Sequence, residues 1–153
     1  MIRPINGAHL HLLTNHWPVL IPVVAVPIIA IGLLAGLRQT RNVGLFLLAF
    51  GALATWPTYF SGEPARAVVQ NYPLITVASI QRHQDLALYA FLAMEVVGLM
   101  SLFLLWCDWR QKPVTRGSLV GLLLLALIAI LLIAQTAHLG GLIRHEELNQ
   151  GFF

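Results

Sequence analysis

The sequence predicts an all-α fold, an integral membrane four-helix bundle with a short amphipathic outer segment between its second and third helices. Composition is the first reason: the 153 residues are 58% hydrophobic and 10% charged, against roughly 45–50% and 25% in an ordinary soluble domain. Patterning is the second, because the apolar residues gather in four runs, 17–37, 43–60, 86–107 and 118–139, each near the about 17–20 residues that a bilayer-crossing helix needs. The third is that the connections between runs are too short to hold a soluble domain, so 1–153 reads as a single transmembrane domain.

The N-terminus lacks the basic region, short apolar core and small-residue cleavage site of a signal peptide, so the first span is expected to remain in the mature protein. Asn6-Gly7 predicts a helix start near Ala8, with the helix continuing through His9, His11 and His16 into the first span. Pro18, Pro22 and Pro27 each remove a backbone donor and bend that span. The bends either open space around the histidines or simply shape packing.

Residues 36–42 read as a tight turn carrying Arg38 and Arg41, and the second span ends in the aromatic run Trp56-Pro57-Thr58-Tyr59-Phe60, which suits a membrane interface. Ser61-Gly62-Glu63-Pro64 reads as a new helix start, with 65–70 as a short surface helix that Pro73 interrupts. The chain re-enters at Arg82-His83-Gln84-Asp85, crosses, and turns through 108–116 into the last span.

Arg38, Arg41, Arg110, Lys112 and Arg116 lie in the two short connections, whereas Arg3, Arg66, Arg82 and Arg144 are spread over longer segments. The positive-inside rule then places the short connections in the cytoplasm and both termini on the outer face of a bacterial plasma (inner) membrane. A formal charge of +3 distributed in this way implies the lipid bilayer as partner and no nucleic acid. Cys107 is the lone cysteine and no C-x-x-C-H occurs, so any haem is non-covalent.

Traced through four spans, His9, His11, His16, His83, His138 and His145 all fall at or beyond the outer face. His9 and His16 are seven residues apart, as are His138 and His145, and seven residues return to nearly the same helix face about 10 Å along the axis. On neighbouring antiparallel helices these pairs form two rungs, with His16 and His138 the deeper one. Gly140-Gly141 is the weak point, since a helix ending there removes His145. His11 falls about 200° round the helix from His9 and is expected to face solvent or a partner. His83 is the additional ligand candidate.

Imidazole binds haem iron, zinc, copper and non-haem iron alike, so context must choose. Apolar walls, glycines, the aromatics Trp17, Trp56, Tyr59 and Tyr89, and Arg144 and Arg82 as propionate partners favour haem b. Glu63, Asp85, Glu146 and Glu147 beside the same histidines favour a bare transition-metal ion. The plain alternative is a set of hydrogen-bonded interfacial histidines with no cofactor. Glu95, near the middle of the third span, reads either as a proton-carrying or quinone-contacting acid or as a neutral carboxyl hydrogen-bonded to Thr55, Ser101 or Gln135. With no second intramembrane acid or base to build a relay, the neutral reading is the simpler.

Four motifs then carry a resemblance: His9-x-His11-Leu12-Leu13-x-Asn15-His16-x-Pro18, Tyr59-x-Ser61-Gly62-Glu63-Pro64-Ala65, Arg82-His83-Gln84-Asp85, and Gly140-Gly141-x-Ile143-Arg144-His145-x-Glu147. Together they resemble a family of small bacterial four-helix predicted inner-membrane proteins, in which His-Glu is common where this chain has His83-Gln84. The resemblance implies fold and location and brings no activity with it. A looser likeness, of architecture alone, is to b-type cytochromes.

The expectation is a b-type cytochrome-like electron-transfer subunit. It holds haem near the outer face through His16 and His138, with His9, His145 and His83 as further candidates, and works with membrane or periplasmic redox partner subunits. The alternatives are a non-haem copper, zinc or iron protein using the same five histidines, or a cofactor-free accessory subunit.

Overall fold

The computed structural model describes residues 6–70 and 75–144, with the Arg144 side chain excluded. The described chain is helical: α1 (Gly7–Thr14), α2 (Trp17–Leu34), α3 (Arg38–Val69), α4 (Val77–Trp109) and α5 (Arg116–Arg144). Four stretches, Gly7–Leu34, Arg38–Val69, Val77–Trp109 and Arg116–Ile143, are long and apolar enough to cross a membrane. Each of α2 to α5 packs against its sequence neighbour, α5 closes back onto α2, and α1 lies against α3.

The inward faces follow heptad-like spacing. On α5 the buried residues are Leu119, Leu122, Ala126, Ala129 and Ile133, and on α4 they are Ala90, Met94, Val97, Ser101 and Leu104. Large apolar side chains such as Leu34, Leu53, Leu99 and Leu131 point outward instead. Small residues set the spacing where helices touch, letting the backbones approach closely. A Cβ on Gly32 would overlap the Arg41 backbone, and one on Gly98 would overlap Ala52.

The first span is broken rather than continuous, because α1 and α2 are separate helices with a turn at Asn15 and His16. Pro18 explains the break: it has no N–H to give the Thr14 carbonyl, and that oxygen accepts the Thr58 hydroxyl of α3 at 2.9 Å instead. Two further expectations are corrected. Residues 61–69 continue α3 through Pro57 and Pro64, so no separate surface helix forms there. Each proline lacks the N–H of one ladder bond, yet α3 runs on through both, and Gly7 lets α1 sit directly on Pro64, whose Cβ would overlap any side chain at that position. Gly140 and Gly141 do not end α5, which runs on to Arg144.

At the opposite end Asp108 gathers the two short connections. Arg38 Nε donates to its carboxylate at 2.8 Å, Arg41 Nη2 pairs with Oδ1, and Asn42 Nδ2 donates to Oδ2 at 2.6 Å. Arg41 and Asp108 are largely withdrawn from solvent, whereas Arg38 is exposed. Both connections close by the same device, a 2.8 Å bond spanning six residues, Leu37 N–H to Gly32 O and Lys112 N–H to Cys107 O, over a residue with positive φ. That residue is Gly36 in the first turn and Gln111, at φ 54°, in the second. A side chain costs about 1 kcal/mol or more in this left-handed region. Gln111→Gly is therefore expected to raise the thermal midpoint of the purified protein by an amount equivalent to about 1 kcal/mol; a lower midpoint would mean that the Gln111 side chain contributes more than its strain costs.

Candidate functional site

Where the bundle expectation places a histidine cluster, four helices each bring polar groups to one level. His11 comes from α1, Thr58 and Ser61 from α3, His83 from α4, and Thr136 with Gly140 from α5. The His11 and His83 rings lie 6.4 Å apart, centre to centre, with their planes at 83°. Both rings are half-buried.

Each imidazole is oriented by a main-chain carbonyl. His11 Nδ1 is 2.9 Å from the Thr58 carbonyl oxygen, and His83 Nδ1 is 2.9 Å from that of Thr136. A carbonyl only accepts, so each Nδ1 carries the hydrogen and each Nε2 is left as the nitrogen able to bind a metal. Such Nδ1–H to carbonyl bonds are the usual outer support of a metal-binding histidine. Ser61 Oγ donates to the same Thr58 carbonyl at 2.9 Å and lies 3.2 Å from His11 Nδ1, which completes the ring's support.

Glycine makes room for this arrangement. A Cβ at Gly140 would sit 3.0 Å from His83 Cε1, so this position lets α5 press against the ring face while Thr136, one turn earlier, accepts its hydrogen. Gly62 is under no such constraint, since a Cβ there would meet His11 Cε1 only at an ordinary contact distance of 4.0 Å. Beyond this layer Gln84 Nε2 donates to Glu63 at 3.0 Å and Arg66 Nη1 to Gln84 at 3.4 Å, capping the seam between α3 and α4.

His11 corrects the expectation that it faces away. The helical phase between His9 and His11 is as expected, but the inward face of α1 is the one carrying His11, whose ring meets Thr58 and Ser61 of α3. His9, His16 and His138 are exposed. His9 opens α1 with its backbone N–H on Asn6 Oδ1 at 3.0 Å, and His16 stands at the N-cap of α2 without a side-chain capping bond. His145 lies outside the described residues, as do Glu146, Glu147 and the Arg144 side chain. Arg82 is exposed beside His83. Among the described residues no three histidine, cysteine or acidic side chains come together in a metal-binding group. Trp56 and Tyr59 pack with Phe60 and Phe91, while Trp17 and Tyr89 are exposed.

The signal for His11 was present in the sequence in another form: Thr58 and Ser61 are small polar residues in an otherwise apolar and aromatic segment, and both serve this ring. No family model, no curated protein and no solved structure matches the chain.

Proposed function

We propose that the chain is a membrane-embedded electron-transfer subunit that holds one haem b through His11 and His83, in place of the His16 and His138 pair the spacing suggested. What supports the reading is that the two imidazoles, each with Nδ1 on a main-chain carbonyl, stand 6.4 Å apart, centre to centre, so that both could hold one iron. Two protein ligands also suffice for haem, whose macrocycle supplies the rest, while a bare ion commonly needs four.

When bound, haem supplies one-electron chemistry at a potential set by its ligands and their hydrogen bonds. The chain's own residues orient the ligands through Thr58, Ser61 and Thr136, and surround them with four helices. Arg82 and Arg144 are proposed as propionate partners. Electrons enter or leave through a membrane or periplasmic partner subunit. A bare copper, zinc or iron ion on the same histidines is the second reading, with His138 or His145 completing the set. A pyridine haemochrome spectrum with elemental analysis of the purified protein separates the two: near one haem per chain supports the first, and stoichiometric metal without haem overturns it.

The proposed location is the bacterial inner membrane, with both termini and the histidine end outside, resting on the five basic residues of the two short connections. On a background lacking the buried Cys107, a cysteine at exposed Gln81 should react with an impermeant maleimide in intact spheroplasts, and one at exposed Gln39 only after lysis. The reverse pattern would put the histidine pair on the cytoplasmic side.

A further inference from the structure

Glu95 is the only acidic residue within the four apolar runs, and it lies near the middle of α4, about 20 Å or more from either end at 1.5 Å per residue. Its Oε1 is 2.9 Å from Thr55 Oγ1, and Thr55 is buried. Neither Ser101, which bonds the Val97 carbonyl, nor Gln135, which is exposed, reaches it. Among the described residues its other oxygen, Oε2, has no hydrogen-bond partner, although the side chain is only half-buried. At this depth an unpartnered carboxyl oxygen is costly, because hydrocarbon offers it neither donor nor acceptor. The atom calls for a polar group that arrives from the lipid phase.

The surroundings specify the shape of that group. Phe91 is one turn outward on the face of Glu95 and stacks on Tyr59 at 4.6 Å and 17°. Trp56, next to Thr55 in sequence, packs on Phe91 at 5.9 Å and on Phe60 at 5.5 Å. Trp56 and Phe60 remain 47% and 59% exposed, so flat aromatic surface is left open beside the acid. A docking helix would need small residues there for close approach. The exposed neighbours along α4 are instead Leu92, Val96 and Leu99.

We infer that this seam between α3 and α4 binds the head group of a lipid-soluble quinone, with Glu95 Oε2 hydrogen-bonding one ring oxygen and Trp56 and Phe60 covering the ring. The isoprenoid tail stays in the bilayer. The inference concerns binding and stands whether or not the histidine pair carries haem.

The test uses the whole protein in phosphatidylcholine nanodiscs, a decyl-tailed benzoquinone as probe, and tryptophan quenching together with photolabelling by an azido-quinone. Saturable quenching and label on the Trp56 to Phe60 or Phe91 to Glu95 peptides are expected. Glu95→Leu should weaken binding about tenfold or more, while Glu95→Gln, which keeps a donor and an acceptor, should stay within about threefold. Leu131→Ala, on an exposed face of α5, should bind as wild type. If Glu95→Leu fails to fold, Thr55→Val and Trp56→Leu replace it, with the same weakening expected. Non-saturable quenching in the wild type, wild-type affinity in the substituted chains, or loss of self-association on Glu95→Leu with quinone binding unchanged would each overturn the inference; the last would assign the open oxygen to a helix contact.

Discussion

With haem b held as proposed, His83→Ala is expected to lower haem content from near one per chain to about one tenth or less, and His11→Ala to do the same or to leave a high-spin residue, because each substitution would remove one of the two histidines that would hold it. His16→Ala and His138→Ala are expected to keep the spectrum, since both side chains are exposed and neither is oriented by a hydrogen bond among the described residues. Losing the Nδ1 bond to Thr136 costs the fold about 1 kcal/mol, so circular dichroism and gel filtration should show an assembled apo-bundle. Added imidazole should partly restore the absorption of His83→Ala if the ring serves as a ligand. Retention of haem in His83→Ala, with loss in His16→Ala or His138→Ala, would return the ligand role to the pair at seven-residue spacing.

The second large effect falls on the fold itself. Gly98→Leu is expected to destabilise the bundle by about 3 kcal/mol or more, since its Cβ alone would overlap Ala52 and the two helix backbones would have to separate. Gly121→Leu is the matched control, because a Cβ there meets nothing within 4 Å. The measurement is the unfolding midpoint in detergent with increasing denaturing surfactant. Equal midpoints for the two variants would show that the α3 and α4 contact is loose enough to admit a side chain.

What could be read from the sequence was whatever one helix determines on its own. Four apolar runs of spanning length gave the architecture, the two arginine-bearing turns gave the short connections, and Glu95 bonded to Thr55 was one of the anticipated pairings; Pro73 lies outside the described residues. What could not be read depends on which face meets a neighbour. The seven-residue spacing of His9 and His16 identifies a shared face, but both residues are exposed, and helical phase alone does not say which face meets a neighbour. Pro64 suggested a helix start because a proline's missing donor costs least there; inside α3 the loss of a single bond is tolerated, with Gly7 packed on the ring. The pairing of Arg38 and Arg41 with Asp108, across 70 and 67 residues, was likewise invisible, because charge counting treats each connection separately.

The bond from His83 to the Thr136 carbonyl spans 53 residues of chain, and that from His11 to Thr58 spans 47. The His11 ring therefore needs only α1 and α3 packed together to meet its acceptor, whereas the His83 ring meets this acceptor only once α5 has joined the bundle. A chain truncated before Thr136 should leave His83 without that acceptor, so the pair is finished only when α5 packs.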